Sequence, residues 1–171
     1  CLSATPIPRT IYLSLSSFKK ISLIQTPPQG RHAIKTFILP YNKEIIKKAI
    51  NFELKRKGQV YFLHNRVHTI QNTKYELEKM LPRAKIGILH GRLSEKELVE
   101  TMDNFQKEKI NVLLTTTIIE NGIDLPRVNT IIIEDATLLG LSQAYQIKGR
   151  VGRAFLQGFA YLFFENKNLT P

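Results

Sequence analysis

The sequence has a single cysteine, Cys1, no tryptophan, and no apolar run near the ~20 residues that a membrane-spanning helix needs. With one cysteine, no internal disulfide can form, and nothing indicates an oxidising compartment. The chain begins with neither the basic segment nor the apolar segment of a secretion signal. These absences exclude a disulfide-rich secreted protein and predict a soluble protein of the cytoplasm.

Three ligand-binding patterns are also missing. No Gly-x-x-x-x-Gly-Lys-Ser/Thr loop is present to hold the phosphates of ATP, and no Gly-x-Gly-x-x-Gly fingerprint marks a dinucleotide-binding enzyme. One cysteine and four scattered histidines form no zinc pattern. We therefore expect no ATP hydrolysis by this chain alone, and no metal site.

The composition fits one globular domain with a basic half. The chain has 171 residues, 43% of them hydrophobic, which is enough for one well-buried core. Residues 1–85 hold 16 Lys and Arg against 4 Asp and Glu, whereas residues 86–171 hold 9 against 10. The excess of basic residues in 1–85 suggests a polyanion partner. Five of the cations are more simply explained as the solvated face of a helix: Lys47, Lys48, Lys55, Arg56 and Lys57.

From residue 43 onward, short apolar runs alternate with helical periodicity, which predicts an α/β domain with a mostly parallel sheet and helices on both faces. The expected strands are 59–63, 86–89, 112–115, 130–133 and 160–164, and the expected helices are 43–57, 69–81, one opened by a capping box at Ser94–Glu97, and 142–148. Residues 11–42 differ, because they are Ser-rich and broken by prolines before a strand-like stretch at 34–39. We predict a connector at 1–42 and a domain at 43–171.

Polar residues follow the predicted strands, where parallel sheets bind their ligands. Asn65 and Arg66 follow the first of these strands, His90 and Gly91 the second, and Thr116 the third. Farther along, the stretch from Gln146 to Arg153 interleaves two arginines with glycines. Arginine offers a rigid fork of donors for phosphate oxygens, so Arg150 and Arg153 together are suited to grip one phosphate.

The octet 146–153 resembles motif VI of the superfamily 2 helicases, and other motifs of that superfamily occur in the same order. Ser3-Ala4-Thr5 resembles motif III, His90-Gly91 resembles motif IVa, and 112–124 resembles motif V. Within the superfamily, the stretches 59–67, 116–126, 129–134 and 140–153 are similar to the transcription-repair coupling factor family, and the RecG-type helicases come next. Asn121 departs from the pattern, since that family usually has threonine there.

The resemblance implies a RecA-like three-layer domain that is the second motor domain of a bacterial double-stranded DNA translocase. It also implies that the chain is a piece of a longer, nucleoid-associated protein. The implied partners are double-stranded DNA, the first motor domain in cis, and RNA polymerase and UvrA through other domains. The implied cofactor is ATP with Mg²⁺, held mainly by the first motor domain. Implied activities are displacement of stalled RNA polymerase and recruitment of excision repair.

The same resemblance assigns roles to individual residues. Arg153 would be the arginine finger, with Arg150 as its partner and Gln146 positioning the cluster. Gly122, Asp124, Gly149 and Gly152 would line the nucleotide cleft, and Thr116, His90, Gly91, Asn65 and Arg66 would contact the DNA backbone. Without the motifs, Asp124 would be an ordinary loop aspartate and His90 a hydrogen-bonded loop histidine. A RecG-type fork-remodelling helicase and a basic nucleic-acid-binding module without motor action remain the alternatives.

Overall fold

The computed structural model describes residues 33–116, 128–139 and 156–165. Its strands are Lys35–Pro40 (β1), Gln59–Leu63 (β2), Ile86–Leu89 (β3), Val112–Thr115 (β4), Val128–Ile133 (β5) and Phe159–Phe164 (β6). Its α-helices are Lys43–Lys55 (α1), Ile70–Met80 (α2) and Glu95–Gln106 (α3), and single 3-10 turns lie at Val67–Thr69 and Ala136–Leu138. The helix predicted at 142–148 lies outside the described residues.

The six strands form one sheet in the order β1-β6-β5-β2-β4-β3, and all five pairings are parallel. The predicted parallel sheet is thereby confirmed. The strand-like stretch at 34–39 is β1, which pairs with β6 along its whole length. Placing the connector boundary at residue 42 stays a prediction, although residues 35–40 belong to the sheet.

Helices cover both faces of the sheet, as predicted. Val60 and Phe62 of β2 point to the face that α1 and α2 cover, where Ile46 and Ile50 are fully buried. The alternate residues of β2 point to the opposite face, where Phe105 of α3 is fully buried. Because both faces are covered, β2 is buried at all five positions, and its residues 60–63 read as a continuous apolar run.

Helix α1 ends two residues earlier than predicted, and Gly58 is not the residue that turns the chain. Lys57 adopts the left-handed conformation, with φ 59°, and the Gly58 N–H donates to the Glu53 carbonyl at 3.0 Å. A side chain at position 58 is excluded for another reason. A Cβ there would lie 1.6 Å from Oε1 of Glu53.

Glu53 is completely buried at the amino-terminal edge of the sheet. Its carboxylate accepts hydrogen bonds from Thr130 Oγ1 at 2.5 Å, from Asn129 Nδ2 at 3.3 Å, and from Arg56 Nη2 and Nε at 2.5 and 3.1 Å. A buried carboxylate is costly unless it is paired and fully hydrogen-bonded. These donors come from α1 and β5, so the carboxylate ties the end of the helix to the sheet.

The prediction that Arg56 belongs to a solvated helix face is wrong. Its guanidinium donates to the Gln157 carbonyl at 2.8 Å, and it lies 5.0 and 5.1 Å from the ring centres of Phe52 and Phe159. Arginine stacks on aromatic rings while it pairs with a carboxylate, which a strongly hydrated ammonium does less well. Lys48, Lys55 and Lys57 are exposed, as the prediction requires.

Replacing Gly58 with alanine should destabilise the fold by about 2–4 kcal/mol, because the added methyl must displace a buried, hydrogen-bonded carboxylate. Gly91→Ala is the matched control, since a Cβ there would meet no heavy atom of the described residues within 4 Å. It should change the free energy of unfolding by less than about 0.5 kcal/mol. Urea unfolding of the two variants tests this, and equal losses would contradict the packing role of Gly58.

Candidate nucleic-acid interface

The carboxyl ends of the central strands meet at one edge, held by backbone hydrogen bonds beyond the strands. The His64 N–H donates to the Thr115 carbonyl at 2.7 Å, and the Thr116 N–H donates to the Leu89 carbonyl at 3.3 Å. Residues 64–66, 116 and 90–91 therefore follow neighbouring strand ends in the order β2-β4-β3. The structure brings five residues predicted from sequence into one row: Asn65, Arg66, Thr116, His90 and Gly91.

Thr116 lies in the middle of this row and is 8% exposed. Its Oγ1 is buried, and within the described part of the chain it has no hydrogen-bond partner. Leaving a buried hydroxyl unpaired costs about 1–3 kcal/mol, so such groups are uncommon in folded domains. A phosphate oxygen of a bound nucleic acid would supply the missing acceptor.

The turn after β3 presents open backbone. Gly91 has no heavy atom within 4 Å of where a Cβ would be, so packing within the described residues does not require glycine there. His90 makes local hydrogen bonds, since its Nδ1 accepts from the Arg92 N–H at 3.3 Å and its carbonyl accepts from the Leu93 N–H at 3.1 Å. The loop-histidine alternative for His90 therefore keeps its support, whereas Gly91 leaves room for a ligand to approach the backbone.

The predicted capping box at the start of α3 is confirmed. Ser94 Oγ accepts from the Glu97 N–H at 3.3 Å, and the Glu97 carboxylate accepts from the Ser94 N–H at 2.8 Å and from its hydroxyl at 2.6 Å. These two hydrogen bonds from Ser94 lower the pKa of Glu97. An internal carboxylate thus already lies at this helix N-terminus and competes with any external anion.

The loop after β2 carries Asn65 and Arg66. Asn65 Nδ2 donates to the Asp135 carbonyl at 3.3 Å, which fixes the amide against the loop after β5. Arg66 is exposed. Its carbonyl accepts from the Thr69 N–H at 3.3 Å, and this bond closes the 3-10 turn that leads into α2.

A cleft of about 330 Å³ lies beside this loop, at the ends of β1, β2, β5 and β6. Its wall carries four carboxylates, from Glu76, Glu134, Asp135 and Glu165, against two cations, from Lys43 and Arg66. Lys43 is paired with Glu76. The carboxyl edge thus has an acidic cleft, whose wall Asn65 and Arg66 share, and a β4-β3 side that carries the Thr116 hydroxyl and the backbone at Gly91.

Tyr41, which follows β1, shows how acidic the cleft is. Burial raises the pKa of its phenol to about 12, with further contributions from the charges of Glu134 and Glu76, a hydrogen bond to Glu134, and the charge of Glu165. A phenolate is disfavoured there because it would add another negative charge to a partly buried acidic site.

The predicted nucleotide-side residues lie outside the described residues: Gln146, Gly149, Arg150, Gly152, Arg153, Gly122 and Asp124. Their roles stay predictions. Among the residues that the structure describes, no group of three or more His, Cys, Asp or Glu side chains is placed to hold a metal ion. The described helices include none that is both long and apolar enough to span a membrane.

Sequence reasoning missed His64 and Glu134. His64 is buried at the end of β2, and its Nδ1 contacts Oε2 of Glu134 at the end of β5. Their positions in the sequence could have identified them, because each is the first polar residue after a buried apolar strand. Their pairing across 70 residues depends on the register of β2 with β5, which no local pattern reveals.

Comparisons with known proteins identify the family of this chain. The family model of the helicase conserved C-terminal domain matches residues 42–155. The transcription-repair-coupling factor of Staphylococcus haemolyticus (strain JCSC1435) is 46% identical over 99% of this chain. The protein of the same name from Staphylococcus aureus (strain USA300) is also 46% identical over 99% of this chain. This chain spans only 14% and 15% of the lengths of these two relatives.

Two solved structures are similar to this chain. RecG bound to a three-way DNA junction superposes with a TM-score of 0.76 and 32% sequence identity, over 95% of this chain and 22% of that one. The C-terminal domain of the DEAD-box protein Dbp5 superposes with a TM-score of 0.61 and 26% identity, over 80% of this chain and 79% of that one. The RecA-like helicase fold expected from the sequence is thereby confirmed.

The variant Thr116→Val replaces a buried hydroxyl that has no partner within the described residues with a methyl group, so the free energy of unfolding should stay the same or rise slightly. Duplex-DNA affinity of the full-length protein should fall about tenfold, the cost of one hydrogen bond to a charged group. Thr130→Val is the matched control, because it removes a donor from buried Glu53. It should instead destabilise the fold by about 1–3 kcal/mol. Urea unfolding and DNA titration separate the two, and lost stability in Thr116→Val would contradict this assignment.

Proposed function

The chain belongs to the helicase conserved C-terminal domain family, and we propose that it is the second motor domain of an ATP-dependent double-stranded DNA translocase acting in transcription-coupled DNA repair. The observation that carries the DNA-binding part is the row along β2-β4-β3, where the Thr116 hydroxyl, which has no partner among the described residues, lies between the Arg66 loop and the backbone at Gly91. Hydroxyl, amide and backbone donors bind phosphate without reading base sequence. A motor that moves over any DNA needs such contacts.

ATP with Mg²⁺ is the proposed cofactor, shared between two motor domains. The arginines in 146–153 fit the phosphate end of a nucleotide, because each offers a planar fork of donors. Arg153 would reach across to the transferring phosphoryl group and stabilise its developing charge, with Arg150 beside it and Gln146 positioning both. Gly122, Asp124, Gly149 and Gly152 would line the same cleft. The phosphate-binding loop and the magnesium ligands would come from the first motor domain.

The proposed role in the cell rests on the similarity to the coupling factors. In the full-length protein, translocation on DNA would displace a stalled RNA polymerase, and other domains would contact the polymerase and UvrA. A second candidate is a RecG-type fork-remodelling helicase, and the likeness to RecG on a three-way DNA junction supports it. The two are distinguished by substrate. A coupling factor releases a stalled polymerase, whereas a fork-remodelling helicase unwinds branched DNA.

Arg153→Ala in the full-length protein should reduce DNA-stimulated ATP hydrolysis by about 10³–10⁵-fold, as expected for a lost arginine finger, and should leave duplex-DNA binding intact. Arg83→Ala is the matched control, since Arg83 is an exposed arginine in the turn between α2 and β3, at the opposite edge of the sheet. It should keep the wild-type rate. An unchanged rate in Arg153→Ala would overturn the assignment of Arg153 as the arginine finger, whereas loss of DNA binding with ATPase retained would favour a basic nucleic-acid-binding module.

The 171-residue chain by itself should show no ATP turnover above background, with or without duplex DNA, because its sequence has no phosphate-binding loop. Its DNA affinity should be weak and should fall steeply with added salt. A phosphate-release assay on the purified chain measures the first property, and titration at several salt concentrations measures the second. Steady turnover by the purified chain would contradict the proposed division of labour between two motor domains.

A further inference from the structure

His64 lies directly before the Asn65–Arg66 loop and joins three segments at the carboxyl edge. It is 7% exposed. Its Nδ1 contacts Oε2 of Glu134, which follows β5, and its Nε2 lies 2.7 Å from Oγ1 of Thr69, at the start of α2. Both ring nitrogens therefore have partners on elements other than β2.

The direction of these hydrogen bonds follows from the chemistry of the partners. A carboxylate only accepts, so the proton of a neutral His64 ring lies on Nδ1 and is donated to Glu134. The lone pair on Nε2 is then free to accept the Thr69 hydroxyl. Glu134 in turn is fixed by its backbone, whose N–H donates to the Leu63 carbonyl at 3.1 Å.

Thr69 is also the residue that closes the loop. Its N–H donates to the Arg66 carbonyl at 3.3 Å. His64 therefore holds the loop 65–69 at both ends. It directly precedes residue 65 in the chain, and its imidazole contacts Thr69 at the far end of the loop. A loop fixed in this way fixes the backbone position from which the Arg66 side chain projects.

We propose that His64 is a positioning residue, which holds the loop that carries Asn65 and Arg66 in the conformation that contacts the DNA backbone. This inference rests on the proposed function, because it takes Arg66 as a DNA contact. Within the described residues Arg66 makes no salt bridge, although it shares the cleft wall with Glu76 and Asp135. When the Thr69 anchor is lost, the guanidinium is free to turn onto these carboxylates and is withdrawn from phosphate.

The test uses two substitutions that keep different halves of the imidazole. In His64→Gln, the longer amide reaches the Nε2 position, so the link to Thr69 is kept and the link to Glu134 is lost. In His64→Asn, the shorter amide reaches only the Nδ1 position, so the link to Glu134 is kept and the link to Thr69 is lost. Thr69→Val removes the same link from the other side, at an exposed residue, together with the longer contact of its hydroxyl with the Arg66 carbonyl at 3.4 Å. Arg66→Ala reports the loss of the DNA contact itself.

The four variants are made in the full-length protein, and duplex-DNA affinity is measured at several salt concentrations. Arg66→Ala should weaken binding about tenfold and should make the salt slope shallower by about 0.9, the value for one phosphate contact. His64→Asn and Thr69→Val should reproduce both changes. His64→Gln should stay within about twofold of wild type, the size of an exposed-residue effect.

Melting temperature separates positioning from a merely structural role. If both His64 variants lose DNA affinity in proportion to their loss of melting temperature, or if His64→Asn and Thr69→Val bind as wild type, the inference is overturned. If His64→Asn fails to fold, Thr69→Val decides by the same criteria. A wild-type protein whose ATPase does not respond to DNA would overturn the proposed function as well, whereas a responsive wild type with an unaffected His64→Asn overturns only the role of His64.

Discussion

The parallel register of the central strands is the constraint on which the rest of the structure depends. Strand β2 is bonded to β5 on one side and to β4 on the other, and β4 is bonded in turn to β3. Because all of these strands run in one direction, the first residues after each of them reach the same edge. Segments far apart in sequence are thereby assembled into one surface, and a one-residue slip would turn every core side chain to the wrong face.

Polar groups at the two edges of the sheet differ in how completely they are hydrogen-bonded. At the amino edge, the carboxylate of Glu53 is enclosed and accepts four hydrogen bonds from three residues, so it has little left to offer a ligand. At the carboxyl edge, the buried Thr116 hydroxyl lacks a partner within the described residues and Gly91 lies open. Hydrogen-bonded polar groups stabilise a fold, whereas a buried polar group that lacks a partner among the described residues requires an explanation, and a bound partner is one.

Local patterns were sufficient for the elements but not for the contacts between them. The capping box at Ser94 and the apolar runs of β2 and β4 are encoded within a few residues, so the sequence predicted them with correct positions. The buried roles of Glu53 and Arg56 depend on Thr130 and Gln157, which lie 77 and 101 residues away, and a helical pattern shows both only as charged residues. His64 was missed for the same reason. The row of Asn65, Thr116 and Gly91 could be predicted because the carboxyl ends of parallel strands lie at the same edge, whichever strands are neighbours.

Strand β1 has a practical consequence for handling the protein. Among the described strands it is the outermost beside β6, and Phe37 and Ile38 at its centre are 39% and 67% exposed. An exposed hydrophobic edge strand is a template for pairing with a second chain, and proteins limit this with lysine and proline. Lys35 and Pro40 stand at the two ends of β1, and within the described residues no charged or proline residue stands at its centre. Concentrated preparations of this chain should therefore self-associate through β1, and a charged residue in place of Ile38 is the natural way to keep them monomeric.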